Sequence, residues 1–368
     1  MEKEIKERLQ RLACALIDQE AAKVIVEPQV GSEGFWFGGG NVVCDSDGTF
    51  WLCGRYRNHG DSRTGVGSGE RGLELAIFSS DSVLGPWEKK KSFTKKELQN
   101  GNDEVVSIEG ASLLMRPTGV ELFLSTEKDR SYPSDFIDYQ KEGTGIWDID
   151  IVESDSIMSL DPASVYTAIR SDELGSLHVK DPVAFQISGD NDQIGVLFCS
   201  HPYTWASSNT GLAVRGSGQE QYKIESFNVL SRGNSWDVAC ARITDCLRVP
   251  SLGIFSEIPP ISIYFYDGAE CLRPLDESTN GVSRSRGFSC EEIGGMAIGF
   301  DQSFPEICRI SSHEPMFISP HGTGCSRYVS TLITPEGILA TWQQSQENLS
   351  QPLVGNFLPN KQIEEILS

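Results

Sequence analysis

Three kinds of residue in this chain stand where they can do chemistry. The first are carboxylates set among small or apolar neighbours. They are Glu109 in Ser107-Ile108-Glu109-Gly110-Ala111-Ser112, Asp181 in Val179-Lys180-Asp181-Pro182-Val183, and the pair Glu291-Glu292 just ahead of Ile293-Gly294-Gly295-Met296. Apolar crowding disfavours the anion and raises a carboxyl pKa toward the range a general acid needs. An ionised partner nearby then serves as base or nucleophile. The structural alternative is a carboxylate satisfied by backbone N–H groups or, for Glu291-Glu292, by Arg284 or Arg286.

The second kind is cationic. Arg55 and Arg57 alternate by two, so they share a strand face. Arg248, His321 and Arg327 stand close to apolar runs further on. Converging arginines take carboxylate, sulfate or phosphate through forked hydrogen bonds; the structural alternative is Arg–Glu pairing within the fold. The third kind is aromatic. Trp36 and Trp205, in Gly/Ser-rich surroundings, suit stacking on a ligand ring better than Phe37, Trp51, Tyr56, Tyr203 or Trp342, which read as core. Gly65-Val66-Gly67-Ser68-Gly69 lacks the lysine and helix of a phosphate loop.

The elements that must hold these residues are mostly strands. Asp47-Gly48 between apolar runs marks a hairpin, with Phe50–Tyr56 as its second strand, Leu73–Ser80 as a third and Val83–Glu88 as an outer fourth. Asp181 is expected to open a strand, because proline gives no N–H to a ladder. Asn41, Glu109, Asp181, Arg248 and Arg327 each head such a unit, at intervals of 67 to 79 residues. A four-stranded unit repeated five times at that period predicts an all-β, five-bladed β-propeller. Ile5, Leu9, Leu12, Leu16 and Ile17 fall on one helical face and predict an N-terminal helix packed on the body. The expected organisation is a helical extension over 1–30 and a single propeller over 31–360.

Composition limits the function. The 368 residues carry a net charge of −21, a poor match for nucleic acid or an anionic membrane. No apolar run is long enough for a membrane span, and the charged first residues do not read as a secretory signal. Ten cysteines without metal-ligand spacing read as reduced core thiols, so a cytoplasmic protein with no metal or cofactor is expected.

Three segments resemble a known family. Ser79-Ser80-Asp81-Ser82-Val83-Leu84-Gly85-Pro86-Trp87-Glu88 is similar to a blade-closing phrase, Lys180-Asp181-Pro182 to the acid-proline of a third blade, and Asp47-Gly48-Thr49-Phe50-Trp51-Leu52 to a turn-plus-aromatic strand. Together they resemble the five-bladed propeller glycoside hydrolases of the arabinanase, β-xylosidase and invertase type (the family 43 group), over about residues 35–345. The chain is a divergent member by this likeness. Near Gly40 and Asn41 the family's first acid is absent, and at Arg248-Val249-Pro250 arginine stands for its glutamate. The resemblance implies a small carbohydrate held in an axial funnel and cleaved by strand-borne carboxylates. Asp181, Glu109 and Glu292 are then the catalytic candidates. Asn41, Arg55, Arg248, His321, Arg327, Trp36 and Trp205 are the substrate-binding ones. A glycoside phosphorylase using the Arg/His set for phosphate, and a sugar-binding propeller without catalysis, are the alternatives.

Overall fold

The computed structural model describes residues 2–58, 72–101, 103–187, 193–203, 207–270 and 292–368. Alternating apolar residues pair the strands into five antiparallel sheets, each an up-and-down blade. Blade one holds β2 (Trp36–Gly38), β3 (Val42–Cys44), β4 (Phe50–Arg57), β5 (Glu74–Ser80) and β6 (Glu88–Thr94). Here the innermost strand is broken at Gly39-Gly40-Asn41, and both halves, β2 and β3, pair with β4. Blade two holds β7 (Val105–Arg116), β8 (Gly119–Lys128), β9 (Ile146–Ser154) and β10 (Tyr166–Ile169). Blade three holds β11 (His178–Gln186), β12 (Ile194–His201), β13 (Asn209–Arg215) and β14 (Lys223–Leu230). Blade four holds β15 (Cys240–Arg248), β16 (Ile261–Ala269), β17 (Ile293–Phe300) and β18 (Cys308–Arg309).

Blade five is assembled from both ends of the chain. Its strands β19 (Ser326–Thr334), β20 (Gly337–Gln344) and β21 (Leu353–Pro359) are completed by β1 (Lys23–Val26), which pairs with β21. Helix α1 (Glu2–Leu16) buries the predicted apolar face against α2 (Asn360–Leu367) and blades four and five. Leu9, Leu12 and Leu16 have no exposed surface. The first strands β3, β7, β11, β15 and β19 touch one another in a closed circle, which sets them around a common axis.

Four expectations about register need correction. Glu109 does not open blade two: β7 starts at Val105 and Glu109 lies inside it. Asp181 does not open its strand: β11 starts at His178 and Asp181 lies inside it. The strand tolerates Pro182 because the ladder to β12 skips between Lys180 and Val183, and a bulge leaves its extra residue unpaired. Arg248 does not open blade four either; it is the last residue of β15. The fourth strand of blade one also begins later than expected, at Glu88, after the turn that Val83 to Trp87 help to form.

The bulge in β11 is one of a set. The ladders of β7, β15 and β19 skip as well, between Ile108 and Ala111, Ile243 and Asp245, and Arg327 and Ser330. With the break at 39–41, each first strand is interrupted at a matching place. Asp181 and Tyr328 adopt left-handed backbone there, with φ of 55° and 54°. A bulge turns a side chain out of the strand's alternation, and so each blade can aim one residue along the axis.

Candidate functional site

The bulges gather four carboxylates and four cations into one network. Arg55, on β4, donates from Nε and Nη2 to Glu109 Oε2 at 3.0 and 2.8 Å. Arg242, on β15, reaches three acids, on β11, on β16 and just ahead of β17. Its Nη1 lies 3.0 Å from Asp181 Oδ2, and its Nη2 lies 2.7 Å from Asp267 Oδ2 and 2.8 Å from Glu292 Oε1. Arg327 donates to the other oxygen of Glu292 and, at 3.1 Å, to Gln351. All of these side chains are buried. Asp181 Oδ1 also accepts the backbone N–H of Gly110 at 3.1 Å. A Cβ on Gly110 would come within 2.6 Å of that oxygen, so the Glu109-Gly110 pair is needed as written.

Tyr328 sits at the centre. Its backbone N–H donates to Asp267, and its hydroxyl lies 3.4 Å from Asp181 Oδ1. The guanidinium carbons of Arg242, Arg55 and Arg327 stand 4.1, 5.5 and 5.5 Å from its ring centroid. Beside Tyr328 and Asp181, walled by Gly40, Gly110 and Thr244, is a cavity of about 20 Å³. That is room for roughly one water molecule.

The network sets the protonation of its members. Burial works to raise Glu109, but Arg55, Lys180 and Arg57 outweigh it and hold the carboxyl well below the usual range. Burial is likewise overcome at Glu292 by Arg242 and Arg327, which bring it to about 2. At Asp267 burial wins, against the pull of Arg242, and the pKa rises to about 6; this carboxyl has no exposed surface. Burial also keeps the Tyr328 phenol protonated, far above its ordinary value.

Lys180 is the exception among the cations. Its Nζ lies 4.0 Å from Asp181 Oδ2, beyond hydrogen-bond range, and 5.2 Å from the ring centroid of Trp147. Burial opposes its charge, but Asp181 and Glu109 more than restore it and raise the pKa. The side chain keeps 14% of its surface exposed. Nearby, His178 and His201 stack at 4.5 Å. Burial drives His178 down to about 3 and holds His201 well below its ordinary value, so both are neutral at pH 7.

The structure therefore brings Glu109, Asp181, Glu292, Arg55 and Arg327 together. The other expected residues lie elsewhere. Arg248 is 61% exposed and faces Asp301 at 3.3 Å, because β15 ends at Arg248, and the arginine on the axis is Arg242 near the start of that strand. His321 is partly exposed in the turn before β19, with Glu347 at 3.9 Å. Asn41 spends its amide on the backbone N–H and C=O of Leu113, a clip between blades one and two. Trp36 is buried under two guanidiniums, with Arg57 and Arg327 at 4.3 and 4.6 Å from its ring, and has no face left for a ligand. Trp205 and Glu291 lie outside the described residues.

Four members escaped the sequence reading: Lys180, Arg242, Asp267 and Tyr328. Arg242 and Asp267 did leave a signal, since each is a charge set directly among apolar neighbours, as in Cys240-Ala241-Arg242-Ile243 and Tyr264-Phe265-Tyr266-Asp267. Tyr328 left none; a tyrosine in a strand reads as core.

The pairing of Glu292 predicts acid sensitivity. Its folded pKa is depressed from 4.5 to about 2. The stabilisation it brings is present above pH 4.5 and is lost as pH falls toward 2. Thermal unfolding of wild type and Glu292→Gln should show a gap at pH 6 that closes steadily through that window. A gap that stays constant with pH would contradict the ion pairing.

The sequence matches no family model and no curated protein. The fold does have solved counterparts. A structure described as a glycoside hydrolase matches with a TM-score of 0.61 at 12% identity, covering 95% of this chain and 94% of the other. A thermostable family-43 glycoside hydrolase matches at 0.55 and 12%, covering 90% and 91%. An α-L-arabinofuranosidase from Lactobacillus brevis matches at 0.57 and 10%, covering 92% and 93%. At these identities the likeness establishes a shared five-bladed fold over nearly the whole chain.

Proposed function

We propose that the axial network of this glycoside hydrolase fold is a binding site for an anionic saccharide, a sugar that carries a carboxylate. One observation carries the reading. Lys180 is a charged, partly exposed ammonium whose nearest carboxylate oxygen is 4.0 Å away, so a ligand oxygen has a cation to meet. The surroundings agree. Arg55 Nη1 and Arg242 Nε are buried without hydrogen-bond partners, and Arg57 adds further positive charge beside Glu109. A buried unpaired donor costs about 1–3 kcal/mol, and an anion entering the site relieves part of that cost.

Hydrolysis is the second reading, favoured by Glu109, Asp181 and Glu292 meeting at one axis from three first- and third-strand positions. Cleavage of a glycosidic bond asks one carboxyl to hold a proton and another to be ionised. Glu109 and Glu292 both favour the ionised form. The protonated group of the cluster that lines the axial cavity is the Tyr328 phenol. Turnover on this reading uses the carboxylates as nucleophile, base or stabilisers of the cationic transition state, and the leaving oxygen takes its proton from Tyr328 or from water. Phosphorolysis would place phosphate on the same cations.

The test is equilibrium binding of glucuronate and galacturonate oligosaccharides against their neutral glucose and galactose counterparts, with product analysis in the presence and absence of phosphate. Acidic sugars should bind at least tenfold more tightly, since a hydrogen bond to a charged group contributes about 1.5–3 kcal/mol. Lys180→Met should erase that preference while the protein stays folded. Equal binding of acidic and neutral sugars would overturn the reading. Released sugar in the acidic arm would establish hydrolysis, and a sugar phosphate would establish phosphorolysis.

A further inference from the structure

Blade two has a gap in its outer wall. Its last strand, β10, is four residues long and pairs with β9 at Ile149, Asp150 and Ile151. Strand β9 runs on to Ser154 without that cover. In blade three the last strand, β14, is twice as long. The mismatch opens a cleft of about 700 Å³ between the blades, within the size range of small-molecule sites. Glu153 and Tyr166 form one side, and Arg215, Gln219, Gln221 and Tyr222 the other.

The cleft is remote from the axial network. Arg215 pairs with Ile194, which lies five residues along β12 from Cys199, the ladder partner of Lys180, and the strand rise over five residues is roughly 17 Å. Its polar groups are held in fixed positions. Arg215 bonds Glu121 and, at 3.2 Å, Glu153. Tyr222 donates its hydroxyl to Glu121 at 3.3 Å, and the Arg215 guanidinium stands 4.9 Å from its ring centroid. Tyr166 lines the cleft with Glu153 and is 38% exposed. A large aromatic residue left that open beside a cleft has a free surface to offer. The walls carry more acid than base, with Glu153 and Glu220 against Arg215, which disfavours an anion.

We propose that this cleft is a second carbohydrate site, for a neutral oligosaccharide segment. Tyr166 supplies the apolar surface for a sugar ring, and the oriented carboxylate of Glu153 and the amides of Gln219 and Gln221 take its hydroxyls. The site would hold a polymer on the outside of the propeller, and it does not depend on what the axis binds.

The experiment is affinity electrophoresis of the full chain through gels that contain soluble arabinan, arabinoxylan or β-glucan. Wild type, Tyr166→Ala, Tyr166→Ala combined with Gln221→Ala, and Lys180→Met are run side by side, with thermal unfolding as the fold control. Wild type should be retarded by at least one polymer. Tyr166→Ala should weaken that retardation about tenfold or more, at an unchanged unfolding midpoint, and the double variant should abolish it. Lys180→Met should be retarded like wild type. Retardation that survives both tyrosine variants, or that Lys180→Met alone removes, would assign all binding elsewhere and overturn the proposal. Absence of retardation in every gel would overturn it as well.

Discussion

Arg242→Met should be the most damaging single substitution on the axis. The arginine neutralises Asp181, Asp267 and Glu292 at once. Methionine fills much of its volume but leaves three buried carboxylates without their shared cation. Breaking a buried pair costs about 3–5 kcal/mol, and here one partner serves three acids. The expected result is a fall in Tm of roughly 5–10 °C at pH 7. The deficit has a pH signature. Without the cation, burial raises the carboxyl pKa values in the folded state above their unfolded values. Stability so linked is fully present at low pH and is lost as pH rises. The gap between variant and wild type should therefore be widest at pH 7 and narrow toward pH 4. A gap independent of pH would mean that packing, not charge, explains the loss.

Asp181 separates backbone from charge. Its φ of 55° lies in the left-handed region, which Asn tolerates and Ala does not. Asp181→Asn keeps an oxygen for Gly110 but replaces the one that Arg242 bonds with an amide NH2, and should fold with a loss of about 1–3 kcal/mol. Asp181→Ala loses one of the three carboxylates facing Arg242 and the acceptor for Gly110, and adds backbone strain of roughly 1–2 kcal/mol, for a combined cost of about 4 kcal/mol. Chemical denaturation measures both. In the turnover assay Asp181→Asn should be inactive although folded, if hydrolysis occurs at this axis. Full turnover by that variant would remove Asp181 from the chemistry. Equal stability of the two variants would mean that the bulge does not hold Asp181 under constraint.

The repeat was legible in the sequence because each strand must alternate apolar and polar residues and each turn needs its own residue types. That periodicity located the turn at Asp47-Gly48 and the helix carrying Leu9 and Leu12. Bulges were not legible. A bulge adds one residue without changing the apolar content of the run, so Asp181 and Glu109 looked like strand starts when they lie within strands. Arg248 was misplaced for another reason: Arg248-Val249-Pro250 reads as a strand start, yet Arg248 ends β15, which begins at Cys240. The acids themselves could be found, since a charge amid apolar residues is costly and therefore conspicuous. Their partners could not. Arg242 and Asp181 are 61 residues apart and meet across two blades, and that adjacency is a property of the closed ring.

The closure of blade five has a consequence for how the chain is made. Strand β1 is synthesised more than 300 residues before β21, the strand it pairs with. Until then Val24 and Val26 have no sheet to join, and the apolar face of α1 has no α2 to cover it. The first four blades can form in order behind the ribosome, each from contiguous chain. Blade five can be completed only once β21 has been made, since its outer strand β1 comes from the start of the sequence. Molecules interrupted before Leu353 would carry an open fifth blade with an unpaired edge, the form most prone to pair with another chain.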